Sequence, residues 1–292
     1  MWTNPTQPNI SDFAVFVANQ GVPGADLPSG TIGNVNISTT GAVTSSGSGG
    51  TVAAGMVLYS AGFVSNTYLV TWSGSAGTVY PVPASAISVP PTNIVQVLSP
   101  YLQWAFNVAM DQTLIPPPCM PPLEYVLAVY NLGMHQLLKI AQDQTGLGIS
   151  SLSWANGLVT ATTSSPLNMA TGSQLSVQVV GAAPVAYNGA FTATVTGSNT
   201  FTYPMPTSPG TNTAPGMYNL SFFSGLRSQF NLMGFTAGPI ISSNDNGTGD
   251  TLLAPDFLKG LTMSGLDALK TPWGREYLAY SQDYGPNIVG VS

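Results

Sequence analysis

The chain has 292 residues, enough for one large hydrophobic core or two modest ones, and its 44% hydrophobic content argues against global disorder. Only 5% of the residues are charged, against roughly 25% in ordinary soluble domains, so the polar surface must be built from Ser, Thr, Asn, Gln and backbone. Five Lys and Arg in total, a net charge of -6 and no basic run disfavour tight binding of nucleic-acid phosphates, and so little self-repulsion predicts obligate assembly with copies of itself or with partner proteins.

In chain order, Ser11 is placed to cap a short helix over 11–20, with Phe13, Phe16, Val17 and Gln20 on one side and Gly21 and Pro23 ending it. From Leu27 to Met110 there are 84 residues without a Lys, Arg, His, Asp or Glu, and the texture turns to Gly, Ser, Thr and Val from Gly30 onward. Within it, Ser45 to Gly50 reads as a loop or turn, and Met56 to Tyr59 and Tyr68 to Trp72 read as strands of hairpins in a small β domain ending near Pro90 and Pro91. Ser99-Pro100 predicts a helix over 99–113, with a stripe of Tyr101, Leu102, Ala105, Phe106 and Ala109. The run Pro116 to Pro122 predicts a stiff extended elbow, followed by a helix over 123–142 lined by Val126, Val129, Tyr130, Leu137 and Ile140.

A second charge-free stretch, Gln144 to Leu226, spans 83 residues. Runs at 158–162, 175–180, 191–195 and 200–203, with turn residues at Asn188-Gly189 and Gly197-Ser198-Asn199, predict a small sandwich or barrel. Helical spacing returns with Phe222, Phe223, Leu226 and Phe230, and Thr271-Pro272 opens a last helix over 272–282. Gly285-Pro286 ends it, leaving an apolar, extended segment from Asn287 to Ser292. No apolar run approaches the roughly 20 residues of a membrane span, and the first residues lack the basic and apolar parts of a signal peptide, so the expectation is a soluble, unprocessed chain.

Chemistry-bearing patterns are weak. The sole histidine, His135, lies inside a predicted helix beside Met134 and Leu137, where a packed role is commonplace, and no Gly-x-Ser-x-Gly elbow accompanies it. Asp245, Asp250 and Asp256 are close enough in sequence for a carboxylate pair, yet turns explain them as well. The segment Asn244 to Asp250 resembles a calcium loop without its alternating ligands or the twelfth-position Glu. Cys119 alone can build neither an internal disulfide nor a thiolate zinc site, and no Gly-rich stretch is followed by the Lys that meets a phosphate. No catalytic residue, metal or cofactor is expected. Tyr277, Tyr280 and Tyr284 recur at spacings of three and four, either as intramolecular core or as an interface, where Tyr is enriched.

With the two neutral stretches removed, Pro8 to Phe13, Tyr101 to Ala109, Tyr125 to Leu138 and Leu269 to Tyr277 come together in sequence. Together these resemble the head-to-tail adaptor (connector) proteins of tailed bacteriophages, and the likeness covers the helical segments only. The second neutral stretch separately resembles small Ig-like modules of phage tail and virion proteins, through Ala183 to Thr192 and Thr200 to Tyr203. The fold expected is then α+β: a discontinuous, adaptor-like helical bundle of residues 1–29, 92–145 and 217–292, with small antiparallel β domains inserted at 30–91 and, Ig-like, at 146–216.

The resemblance implies a ring of identical subunits, usually twelve, docked between the portal and the tail or nozzle proteins of the virion. Genomic DNA passes through its lumen. It also implies a C-terminal arm reaching the portal, which makes Tyr277, Tyr280, Tyr284, Pro286, Ile288, Val289 and Val291 the candidate portal-interface residues. A channel for DNA should not grip phosphates, and a poorly basic chain meets that need. The alternative is a tail, spike or decoration protein whose β modules bind a surface glycan or the capsid.

Overall fold

Asn9, not Ser11, starts the first helix, α1 (Ile10–Asn19). Its side-chain oxygen accepts the Asp12 amide N–H at 2.9 Å while its amide group donates to the Asp12 carboxylate at 2.9 Å, a reciprocal cap that Ser11 has no means of making. The same carboxylate accepts the Asn4 N–H at 2.8 Å, which fixes the segment leading into the helix. The computed structural model describes residues 4–59, 67–89, 94–113, 115–234, 242–245, 248–251 and 263–284. They form a mixed α and β protein with six helices and antiparallel sheets, one of them a closed barrel. The chain divides into two compact units: residues 1–13, 105–140 and 225–292, and residues 14–104 and 141–224.

The first unit is helical and is drawn from three distant parts of the sequence. It takes the start of α1, most of α2 (Pro100–Gln112), α3 (Pro122–Ile140), the end of α4 (Phe222–Gln229), and α5 (Met263–Ala268) and α6 (Pro272–Tyr284). Helix α3 is its axis, with 12 buried residues distributed all round, as expected of a helix with no solvent face to spare. Phe13 is fully buried between Phe106 and Tyr130, with ring centroids 5.8 and 5.6 Å away. Gly133 allows this approach, because a Cβ there would stand 2.8 Å from the Phe13 ring. Arg227 donates to the Leu138 carbonyl at 3.1 Å, closing part of the C-terminal end of α3. Helices are present where 11–20, 99–113, 123–142 and 272–282 were expected, but the division between units falls within α1 and α2, so that residues 14–19 and 100–104 belong to the second unit.

The second unit is β-rich and holds most of both neutral stretches, residues 27–104 and 144–224. A nine-stranded antiparallel sheet runs in the order β4-β1-β9-β5-β6-β7-β3-β2-β8. Its strands are β1 (Gly30–Gly33), β2 (Asn36–Ile37), β3 (Ala42–Thr44), β4 (Gly47–Gly50), β5 (Val57–Tyr59), β6 (Tyr68–Ser73), β7 (Ala76–Tyr80), β8 (Ile87–Ser88) and β9 (Ile94–Leu98). Two expectations are corrected here. Gly47 to Gly50, expected as loop, is an edge strand paired with Gly30 to Gly33, where small residues let two backbones come close. The β region also runs past 91, because Ile94 to Leu98 inserts between β1 and β5 and brings Val95 and Val97 into a core with Ile32, Leu58, Leu69 and Val79.

The second neutral stretch folds into a closed six-stranded barrel rather than the two facing sheets of an Ig-like sandwich. Its strands are β10 (Leu147–Ala155), β11 (Leu158–Thr163), β12 (Gln174–Val180), β13 (Gly189–Gly197), β14 (Thr200–Pro204) and β15 (Met217–Leu220), in the order β10-β11-β14-β13-β12-β15. Strands β12 to β14 form a meander and β15 returns beside β12, a Greek-key order. Closure depends on β15, which pairs with both β10 and β12 and removes both edges; the module therefore extends to Leu220 and not to 216. Phe201, Tyr203, Tyr218 and Tyr187 fill its interior, where Tyr203 donates to the Tyr187 carbonyl and Tyr187 to that of Gly210. Asp143 caps α4 from the start of this stretch, accepting the N–H groups of Phe223 at 2.7 Å and Ser224 at 2.9 Å.

Candidate functional site

The expected interface residues begin on α6. Thr271 caps that helix by accepting the Gly274 N–H at 2.9 Å, Pro272 occupies the first position, and Gly274 leaves room for the Ala268 carbonyl. From there the 3.6-residue period lays Tyr277, Tyr280 and Tyr284 along one side, and that side faces the first turn of α3. Tyr277 is buried, with its hydroxyl 3.5 Å from the Gln112 carbonyl. It lies close enough to Tyr125 to help raise the latter's hydroxyl pKa, although burial is the larger cause. Tyr280 is half-buried, its hydroxyl raised by burial first and then by Glu276 and Glu124. Tyr284 hydrogen-bonds to the Glu124 carboxylate, which holds its hydroxyl above the ordinary value.

The three tyrosines are thus brought together, but against α3 rather than on an outward face. Tyr277 belongs to the core; Tyr280 and Tyr284 keep part of their rings outside. Pro286, Ile288, Val289 and Val291 lie outside the described residues.

Beside this contact is a groove of about 330 Å³ lined by Thr6, Gln7, Pro8, Met110, Pro117, Pro122 and Tyr125. The proline-rich elbow makes one wall, as a short 3-10 turn over Pro117–Cys119 leading into Pro122 at the start of α3. The other wall is the segment that Asn4 and Asp12 anchor ahead of α1. Prolines have no N–H to offer, so the groove presents apolar rings and a methionine with polar groups at one rim.

His135 is buried, as its position beside Met134 and Leu137 in a helix leads one to expect, and has partners that sequence spacing does not disclose. Its Nδ1 is 2.9 Å from the Thr271 hydroxyl and its Nε2 is 3.7 Å from the Asp267 carboxylate. The carboxylate also meets Lys139 Nζ at 2.7 Å and Lys270 Nζ at 3.4 Å. Burial is the largest cause that lowers the His135 pKa to about 4; Lys139 and Lys270 push the same way and Asp267 opposes them. The Asp267 carboxyl stays below its ordinary value because its bonds to Lys139 and Lys270 and its proximity to His135 outweigh the opposing effect of burial, the largest single contribution. An Asp, a His and a Thr in line resemble a proton relay, but Thr271 is fully buried and its hydroxyl accepts the Gly274 N–H as a helix cap. The cluster pins α3 to α5 and α6.

A different kind of surface occurs on the nine-stranded sheet. Tyr68 is paired with Tyr80, their ring centroids 5.8 Å apart, and Tyr68 also stands opposite Val57. Tyr59, Tyr68 and Tyr80 are exposed, as are Val70, Val82 and Ile94. Thr71 and Thr78 share a 2.8 Å hydrogen bond on the same pair of strands. Sequence reading missed this surface, although the alternation in Tyr68-Leu69 and Val79-Tyr80 carries its signal, with Leu69 and Val79 buried and both tyrosines out.

Of the Asn244 to Asp250 segment, Asn244 and Asp245 lie in β16 (Ser242–Asp245) and residues 248–250 in β17 (Thr248–Thr251), which pair antiparallel with Asp245 opposite Thr248 and Asp250 opposite Ser243, while Asn246 and Gly247 lie outside the described residues. Asp256 lies outside the described residues. Among the described residues, no group of three or more His, Cys, Asp or Glu side chains is placed to hold a metal ion, and no helix is long and apolar enough to cross a membrane. Comparison with protein-family models, with curated proteins and with solved structures found no match for the chain.

Proposed function

We propose that this chain is a structural virion protein, an adaptor whose copies form a ring between the portal and the tail of a bacteriophage and let DNA pass through the lumen. The observation that carries the reading is the helical unit built from residues 1–13, 105–140 and 225–292, around which the chain is interrupted by two charge-free β modules. The charge-free modules offer neutral surfaces that can be buried between subunits without desolvating unpaired ions. Tyr280, Tyr284, Pro286, Ile288, Val289 and Val291 remain the portal-facing candidates; Tyr277 contributes from the core behind them. In this reading the scarcity of Lys and Arg lets the duplex slide, since few counterions are released. Mixing the purified chain with portal protein tests it: a ring-on-ring complex is expected, and failure to associate counts against the adaptor.

The exposed tyrosines of the nine-stranded sheet favour a second reading, a tail, spike or decoration protein that binds a neutral surface glycan through stacked rings. Binding of the full chain to a glycan array, abolished by Tyr80→Ala, is its expected signature; an empty array removes it.

A further inference from the structure

We propose that Asn156 is a site of spontaneous covalent modification: the Gly157 backbone nitrogen attacks its side-chain amide, ammonia leaves, and water then yields an aspartyl or isoaspartyl residue. Asn156 and Gly157 are the two loop residues of the β10–β11 hairpin, between the paired Ala155 and Leu158. Their φ angles are 52° and 83°, the signature of a type I′ turn, whose own hydrogen bond joins the flanking residues and makes no use of the Gly157 N–H. Asn156 is exposed, and nothing lies within 4 Å of where a Cβ on Gly157 would stand. Among the described residues, neither the Asn156 amide group nor the Gly157 N–H has a hydrogen-bond partner, while the Gly157 carbonyl accepts the Met205 N–H at 2.8 Å. Nucleophile and electrophile are adjacent and unheld, on a turn anchored through a group that the reaction does not consume.

The same barrel contains a second Asn-Gly pair, which the fold withholds from this chemistry. Asn188 Oδ1 accepts the Ala182 N–H at 2.8 Å and its Nδ2 donates to the Ala182 carbonyl at 2.9 Å, so both ends of its side-chain amide are held. Turning that amide toward the Gly189 nitrogen breaks both bonds, and the cost adds to the barrier. The third pair, Asn246-Gly247, lies outside the described residues.

At Asn156 the bond from Gly157 N to Cγ forms as the Cγ–Nδ2 bond breaks, and ammonia carries away the proton given up by Gly157 N. No electrons are exchanged. Water opens the resulting cyclic imide at one of its two carbonyls. Opening at Cγ gives Asp, which suits a type I′ turn as Asn does. Opening at the backbone carbonyl routes the main chain through Cβ and lengthens the turn. Either product puts a carboxylate into the stretch from Gln144 to Leu226, which has no Lys, Arg, His, Asp or Glu. The inference is independent of what the chain assembles with.

The full chain is incubated in heavy-oxygen water at mildly alkaline pH, folded and in urea, then digested for peptide mass spectrometry. In the folded chain Asn156 is expected to lose ammonia and take up heavy oxygen at least about ten-fold faster than Asn188, a barrier difference of about 1.4 kcal/mol, and in urea the two rates converge. Equal rates in the folded chain, a faster Asn188, an Asn156 that does not react while folded, or a difference that persists in urea each overturns the proposal.

Discussion

The Tyr130 hydroxyl accepts the Asn9 amide N–H and donates to the Asn9 carbonyl, both at 3.1 Å, so one side chain in the middle of α3 satisfies both backbone groups of the residue that caps α1. Tyr130 is fully buried, and its ring also packs against Phe13. Tyr130→Phe keeps the ring and removes both bonds. A loss of about 1–3 kcal/mol is expected, because the Asn9 N–H is left without this acceptor, while the Asn9 carbonyl keeps the Phe13 N–H at 3.0 Å. Urea unfolding of the two proteins checks it, and an unchanged midpoint contradicts the assigned role.

Gly133→Ala sets two effects against each other. Alanine in place of a helical glycine gains about 1 kcal/mol in propensity. Its Cβ, however, would lie 2.8 Å from the ring of Phe13, which Phe106 and Tyr130 hold in place, and overpacking of that kind costs about 1–3 kcal/mol. Net destabilisation is expected, relieved by Phe13→Leu in a double-mutant cycle. Stabilisation by the single change contradicts the close approach of α1 to α3.

Stability should fall on acidification through the range in which His135 is protonated only when unfolded. Its folded pKa is about 4 against an ordinary 6.5, so between these values the unfolded chain binds more protons and stability rises with pH. The contribution is whole above about 6.5 and lost below about 4; it amounts to roughly 3 kcal/mol, with a slope approaching 1.4 kcal/mol per pH unit. The lowered Asp267 carboxyl adds a loss of the same sign at still lower pH, below its ordinary 3.8. His135→Gln should flatten the upper part of the profile while lowering its plateau. Equal slopes in both proteins between pH 4 and 6.5 argue that another group controls the transition.

Asp143→Ala removes the acceptor for the Phe223 and Ser224 N–H groups at the start of α4. Capping losses of about 1–2 kcal/mol follow, whereas Asp143→Asn, which keeps an acceptor without the charge, should retain more than half of the stability difference. Amide exchange at Phe223 and Ser224 reports the cap directly, and protection that survives Asp143→Ala rejects it.

Helix positions are legible in this sequence wherever proline marks them: Ser99-Pro100, the elbow before Leu123 and Thr271-Pro272 all fall at helix starts. The start at Asn9 is less legible, because its strength lies in a reciprocal bond with Asp12 that a reading of Ser11 overlooks. Four barrel strands announce themselves through β-branched runs, while β15 and β9 are short and stand directly before helices. Their strand character comes from distant partners, Leu147 and Val177 for β15 and Thr31 and Leu58 for β9, which no local pattern contains. The tyrosine stripe of α6 shows in its spacing, yet the burial of Tyr277 depends on Gln112 and Tyr125, more than 140 residues upstream. His135 and Lys139 are visible as neighbours one turn apart, but Asp267, which meets both, is not.

Electron microscopy of the purified chain, alone and with portal protein, decides whether the proposed adaptor ring forms. A closed ring of identical subunits with a pore wide enough for duplex DNA, seated on the portal, is expected. Particles that remain single subunits in both samples, or an assembly without an axial pore, would contradict it.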